Sequence, residues 1–487
     1  MNIVLQTSTI IAVIHLAIML AIAIRVIMRR PARGVALAWL LLVSVFPIGG
    51  AVIYMLIGER RISPRRIREI DQLRIDYRRI SNSEIPARLM EIDWSRHLPA
   101  AKGLDRVGRH LVGSPTVHGT RFTLLSDTQD ILKAISRDID GAQNSIMMEF
   151  YIWNEGGTAD EIVEALIRAA ARGVQCRVLV DALGSRPWWK CDQPQRLRDA
   201  GVQLVEALRV GVLRSVIGRA DVRLHRKIIV VDGKIAWTGS MNLVDPRYFK
   251  QDAGVGEWVD AMVRLEGAAV VPLGIVMLGD WVLETGEAMH DAILSAGLHL
   301  ARPEGEADIQ VIPSGPGLTD DGLLQMLLGI INAAESEIVI TTPYLVPDDS
   351  LILALRGAAA RGVRVSIILP EKVDSLLTRY ASRSYYDELL DIGVMIYLYR
   401  GGLLHTKSIT TDRALSMFGT VNLDMRSLWL NYEVALFVYD AEFANALLAL
   451  QQSYIAQSER LDPEAWRARS FGQRFMDNTL RLASPLL

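Results

Sequence analysis

The 487-residue sequence predicts an α/β protein: two like α/β domains related by pseudo-twofold duplication, preceded by an N-terminal transmembrane helical hairpin. Three observations carry this. Two long apolar runs open the chain, strand–helix–strand patterning recurs in two halves, and one short motif occurs twice. The expected boundaries are 1–60 for the hairpin, 61–115 for a basic juxtamembrane linker, 116–300 for the first domain and 301–487 for the second.

The hairpin comes first. Thr9–Met28 is almost wholly aliphatic, broken by His15 and Arg25, and Val35–Ile57 is 23 residues without a charge. A helix of that length rises roughly 30 Å, the thickness of a bilayer core. Arg25 then has to reach the interface along its own stem. A signal peptide fits less well, because no basic residue precedes the first run and no small-residue cleavage site follows it. Buried core helices are the bland alternative. "RRPARG" between the runs is short enough only for a turn.

The basic residues near this turn are Arg25, Arg29, Arg30 and Arg33. After the second run come Arg60, Arg61, Arg65, Arg66, Arg68, Arg74, Arg78 and Arg79. This imbalance favours a cytoplasmic body, and the same arginines suit an anionic phospholipid bilayer. Half of all residues are hydrophobic and the net charge is only -2, so bulk charge points to no nucleic acid. Cys176 and Cys191 are the only cysteines, which is no disulfide framework and fits a reducing compartment.

The two halves follow. "SIMMEFYIW", a helical stretch and "VQCRVLVDA" read as strand, helix, strand; "EIVITTPYLV", "LILALRGAAARG" and "VRVSIILP" repeat the order. "AAARGV" occurs at Ala169 and again at Ala358. The expected arrangement is two domains packed face to face. The first copy carries about twelve extra residues near 208–220, aliphatic and interleaved with Arg209, Arg214 and Arg219. This insert reads equally as a segment dipping into a lipid interface or as a buried surface helix.

The repeated motif carries the chemistry. Both copies read His-x-Lys-x4-Asp, then Gly-Ser/Thr-x-Asn: His225, Lys227, Asp232, Ser240 and Asn242, then His405, Lys407, Asp412, Thr420 and Asn422. Histidine and lysine two apart on a strand leave the same face. Two such clusters meeting at a twofold offer two imidazoles, two ammonium groups and two amides. That set suits a phosphodiester: lysines and amides bind non-bridging oxygens, one imidazole attacks phosphorus and the other protonates the leaving oxygen. Asp232 and Asp412 complete the catalytic motif and are counted with it, though seven residues past each histidine they would tie down a turn. Glu257, 32 residues after His225, and Glu433, 28 after His405, are expected to orient the histidines. No cofactor is called for. The remaining histidines show no metal-ligand spacing, and no Walker-type nucleotide loop occurs.

The doubled motif resembles the phospholipase D superfamily, and the text around it is similar to bacterial cardiolipin synthases. "TGSMNLVDPRYFKQDAGVGEW", "TTPYLVP", "GGLLHTKS" and "GTVNLDMRSLWLNYE" carry that likeness, which spans essentially the whole chain. It implies two phospholipase D-like domains at the bacterial inner membrane. It also implies joining of two phosphatidylglycerol molecules into cardiolipin with release of glycerol. His225 would be the nucleophile and His405 the acid/base; the residues by themselves do not order the two. A phospholipase D or a phosphatidyltransferase with another acceptor has the same motif, a nuclease would want a basic groove, and a scaffold would show a decayed copy. A homo-oligomer is compatible with the sequence.

Overall fold

The computed structural model describes residues 2–29, 33–58, 68–70, 72, 87–209, 222–298, 302–318 and 321–482. The chain divides into two compact units. The larger contains both halves of the duplication, and the described helices of the smaller belong to Met1–Arg66.

In the larger unit the first half supplies strands β1 (Thr116–Leu125), β2 (Ser145–Phe150), β3 (Gln175–Asp181), β4 (Gln203–Ala207), β5 (Ile228–Val231), β6 (Ile235–Gly239) and β7 (Met262–Gly267). The second supplies β8 (Ala307–Ser314), β9 (Glu337–Thr341), β10 (Arg364–Pro370), β11 (Met395–Tyr399), β12 (Ser408–Thr411), β13 (Leu415–Gly419), β14 (Glu433–Tyr439) and β15 (Ser458–Arg460). The first half runs β1-β7-β6-β5-β2-β3-β4 and the second β8-β14-β13-β12-β9-β10-β11, the same order twice, with β15 added at the outer edge of the second. In each half the parallel trio, β2-β3-β4 or β9-β10-β11, is joined by helical crossovers, as the strand–helix–strand pattern requires.

The halves do not pack face to face. β1 and β8 pair antiparallel, with Thr116 opposite Gln310 and Val117 opposite Ile309, so one 15-stranded sheet runs through both. The reason is in the strands at and beside the joint. β8 reads ADIQVIPS and its neighbour β14 reads EVALFVY, and both are buried along their whole length. Ile309, Val311, Val434, Leu436 and Val438 enter one core, while Ile312, Ala435, Phe437 and Tyr439 enter another. A sheet covered on both faces has continuous apolar strands, and pairing edges removes two exposed strand borders. Helices Val270–Thr285 and Ala441–Ala456 contribute to the core that spans the joint, through Leu273, Met277, Phe443 and Leu447.

The hairpin region also departs from expectation. Helix Asn2–Arg29 is followed by Arg33–Val45, Pro47–Ile53 and a π-helical turn Tyr54–Gly58, so the expected unbroken span at 35–57 is in three pieces. Pro47 causes the first break: it has no N–H to donate and sits in the first turn of a new helix. Among the described residues, no helix is long and apolar enough to cross a membrane. Ile22, Val26, Val43 and Tyr54 bury one another between these helices, and Trp39 meets the Tyr54 ring edge-on at 5.3 Å.

Of the arginines after the second run, only Arg68 falls within the described residues, and the insert beyond Arg209 falls outside them. The end of the expected linker belongs to the larger unit's core. Leu104 of helix Ala101–Val107 is buried there, and Asp105 accepts from the Thr116 N–H at 3.1 Å.

Candidate active site

Each motif starts as a β-hairpin. β5 and β6 pair with Val231 opposite Ile235, and β12 and β13 with Thr411 opposite Leu415. The three-residue loops between them open on Asp232 and Asp412, at φ of 53° and 50°. Aspartate tolerates this left-handed conformation better than most residues. The Asp232 carboxylate accepts from the backbone N–H groups of Gln143, Asn144 and Ser145, and Asp412 from those of Glu335, Ser336 and Glu337. Both aspartates therefore anchor the hairpin to the start of the adjoining strand, β2 or β9, and neither contributes to the reacting cluster.

The segment before each hairpin crosses to the other half. The His225 N–H donates to the Tyr432 carbonyl at 2.9 Å, and the His405 N–H to the Val259 carbonyl at 2.8 Å. Leu224 bridges Tyr432, and Leu403–Leu404 pairs in parallel with Trp258–Val259. Each histidine thus lies against the carboxylate-bearing segment of the opposite half. Nδ1 of His225 is 2.8 Å from Oε2 of Glu433, and Nδ1 of His405 is 2.7 Å from Oδ1 of Asp260. Of the two glutamates expected to orient a histidine, Glu433 lies against one, and that histidine is His225 of the other half.

Glu257 has no such place. It is exposed and lines an open groove with Arg247 and Gln129, while Asp260 holds His405. The expectation failed on spacing. Asp260 follows His225 by 35 residues and Glu433 follows His405 by 28, so the first copy has seven more residues here. The signal that finds Asp260 is an acid placed just ahead of an apolar strand, "VDAMV" beside "YEVAL".

Ser240 and Thr420 turn their hydroxyls to the carboxylates that hold the histidines. Their hydroxyls donate to Asp260 and Glu433, both at 2.6 Å, and accept from the N–H groups of Ala261 and Val434 at 3.0 Å. The glycines before them allow this approach. A Cβ on Gly239 would meet the Ala261 carbonyl oxygen at 2.4 Å, and one on Gly419 the Val434 oxygen at 2.4 Å. Asn242 and Asn422 are buried; the Asn242 carbonyl oxygen accepts from the Ile152 N–H at 3.2 Å.

Both lysines are fully buried. Nζ of Lys227 donates to the carbonyl of His225 at 2.6 Å, and Nζ of Lys407 to that of His405 at 2.5 Å. Aromatic rings missed by the sequence reading wall the site. Trp258 lies 4.4 Å from the His405 ring and Tyr151 5.1 Å from that of His225.

Charge in this closed space is costly. Burial lowers both imidazoles to about 4, against the lift from Glu433 or Asp260. Burial likewise brings Lys227 down to about 8 and Lys407 to about 7, and Lys227 lowers Lys407 further. Burial pushes Glu433 and Asp260 up, but the histidines, the lysines and the Thr420 or Ser240 hydroxyl outweigh it, so both stay below the ordinary carboxylate range. Near pH 7 the arrangement is two neutral imidazoles. In each, Nδ1–H donates to a carboxylate, leaving the Nε2 lone pair as the reactive position. Two lysines poised to gain or lose a proton complete the cluster, a donor set whose chemistry suits an anionic phosphodiester.

The chain matches the family model described as a cardiolipin synthase, phospholipase D-like domain, over residues 135–255 and 327–453. Residues 17–59 match a phospholipase D-nuclease N-terminal model. It is 43% identical to cardiolipin synthase A of Erwinia tasmaniensis over 96% of both chains, and equally so to that of Yersinia pseudotuberculosis. The crystal structure of phosphatidylserine synthase from Haemophilus influenzae matches 79% of this chain and 100% of that one, with a TM-score of 0.57 at 15% identity, a likeness of fold. With both copies of the motif intact and a relative this similar along nearly its whole length, the chain belongs to the bacterial cardiolipin synthase family of the phospholipase D superfamily.

Proposed function

We propose that this chain is a phosphatidyltransferase that makes cardiolipin and glycerol from two molecules of phosphatidylglycerol through a phosphohistidine. The observation that carries the reading is the pair of buried imidazoles, each held at Nδ1 by a carboxylate from the opposite half, with a buried lysine two residues on.

Nε2 of one histidine forms a bond to the phosphorus of the first phosphatidylglycerol. The bond from phosphorus to the head-group glycerol breaks, and the other histidine gives that oxygen a proton. The terminal hydroxyl of a second phosphatidylglycerol then returns a proton to this histidine and attacks phosphorus, releasing the first. The resemblance gives His225 the nucleophile's role and His405 that of acid and base. Since both rings rest neutral, the proton for the first step is taken up from solvent as the substrate binds, because its negative charge favours the imidazolium. Lys227 and Lys407 stabilise the added charge on the non-bridging oxygens. Exchange of one phosphodiester for another is nearly energy-neutral, so no nucleotide is consumed.

The N-terminal helices are proposed to anchor the chain in the bacterial inner membrane, with the catalytic unit on the cytoplasmic side. The apolar composition of 9–28 and 35–57 and the arginines that follow support this.

The test is to give the purified full-length chain phosphatidylglycerol vesicles without nucleotide. Cardiolipin and glycerol are expected in equal amounts. Phosphatidic acid in their place would mean water is the acceptor, and no product at all would overturn the reading.

A further inference from the structure

The C-terminal helix Phe471–Arg481 is built inside out. Ser470 caps it through a reciprocal pair with Gln473, so its start is well defined. Its one fully buried side chain is Asp477, paired with Arg469 and, at 3.4 Å, Arg383. Its two phenylalanines point away from the protein. Phe471 is 83% exposed, Phe475 61% and Leu482, just past the end, 82%. Phe471, Phe475 and Leu482 are four and then seven residues apart, so they form one stripe, and the two rings stack at 6.1 Å. A helix that packs its acid inward and its phenylalanines outward is adapted to an apolar surrounding on its outer side.

The neighbouring helix Leu376–Arg383 packs against it and adds exposed Leu376 and Leu377. Arg379 and Arg474, both exposed, have no ion pair among the described residues. Apolar stripes flanked by such arginines match the chemistry of an anionic lipid surface. The surface also starts beside the reaction centre. Trp258 packs on His405, and the Lys250 ammonium lies 5.5 Å from the Trp258 ring. Lys250 donates to Asp374 at 2.9 Å, and Asp374 is two residues before Leu376.

We infer that these two helices form a docking surface for an anionic bilayer, seating the phosphodiester site at the lipid interface. The inference deepens the proposed phosphatidyl transfer and rests on it for the substrate, but the surface itself is read from the inverted helix. Docking here brings the mouth of the site to the depth of the head groups.

The test uses the full-length chain with vesicles of phosphatidylglycerol and phosphatidylcholine, and with short-chain phosphatidylglycerol kept monomeric. The double variants Phe471→Asp/Phe475→Asp and Phe471→Gln/Phe475→Gln are expected to lose about tenfold or more of vesicle turnover and none of monomer turnover, since interfacial binding scales with buried apolar area. An environment-sensitive dye on a Phe475→Cys variant is expected to shift to the blue when vesicles are added. Equal vesicle turnover by variants and parent, or a dye blind to vesicles, overturns the inference. So does a result in which the variants only convert a dimer to a monomer, since a second copy would then cover the stripe. If the parent makes no cardiolipin from either substrate while the dye still shifts, the catalytic reading fails and the docking surface stands.

Discussion

Nδ1 of His225 is 2.8 Å from Glu433, 208 residues away in the other half of the duplication, and Nδ1 of His405 is 2.7 Å from Asp260, 145 residues away. Neither half holds a complete site. The carboxylates fix ring orientation and the tautomer that leaves Nε2 able to act. Glu433→Gln and Asp260→Asn should each lower kcat by up to about 10⁴-fold, the loss seen when the orienting acid of a catalytic histidine is neutralised. Glu257→Gln, in the exposed groove, should stay within about twofold of the parent. Steady-state cardiolipin formation checks all three, and a Glu257 loss comparable to that of Asp260 would contradict the assignment.

Burial gives the folded protein a characteristic acid limb. His225 and His405 sit at about 4, below the ordinary 6.5. Between those values the unfolded chain binds protons that the folded chain refuses. Unfolding free energy should therefore be at its full value above about 6.5 and fall as pH drops toward about 4, with no further loss from these groups below that. Thermal unfolding from pH 8 to pH 4 checks this. The His225→Gln/His405→Gln variant should show a shallower decline; a steeper one would be inconsistent with buried neutral rings.

Anion binding should take up protons. Lys407 is held at about 7 and Lys227 at about 8, so a part of the lysine population is neutral at pH 7.5. A phosphate dianion or diester beside them favours the charged forms. Titration calorimetry with inorganic phosphate in buffers of different ionisation enthalpy should report net proton uptake, diminished in Lys407→Met. A buffer-independent enthalpy would argue against it.

The motif aspartates are expected to act on stability. Asp232→Ala and Asp412→Ala each strip three backbone N–H groups of their acceptor and leave a Cβ residue at positive φ. A loss of roughly 1–3 kcal/mol is expected for each, with Asn variants retaining more. Denaturant unfolding measures this. Substitution that removed activity with unchanged stability would place them in the chemistry instead.

The two halves are not equivalent around the histidines. Arg226, next to His225, is buried and bonds Asp280, the Glu433 carbonyl and the Ser314 carbonyl, whereas Thr406 stands next to His405. Asp280→Ala would leave a buried guanidinium without its carboxylate and should cost about 3–5 kcal/mol, while Gln451→Ala on the matching helix should cost clearly less. Thermal or chemical unfolding of the pair decides it.

Much of this protein is set by local pattern. Short continuous apolar runs alternating with helical stretches, the repeated "AAARGV" and the doubled His-x-Lys-x4-Asp point to the α/β class, the duplication and the chemistry, because strand composition and turn chemistry act over a few residues. The turn role of Asp232 and Asp412 is legible for the same reason. Only tertiary structure decided the rest. Edge pairing of β1 with β8, in place of stacked sheets, depends on which strand borders meet, and no local pattern encodes that. The exchange of Glu433 to His225, and the choice of Asp260 over Glu257, follow from contacts 208 and 145 residues apart in the chain. A seven-residue difference between the copies hides that correspondence until the backbone folds. The inverted C-terminal helix is likewise invisible to periodicity, which reports an amphipathic stripe but not the side of the helix the protein covers.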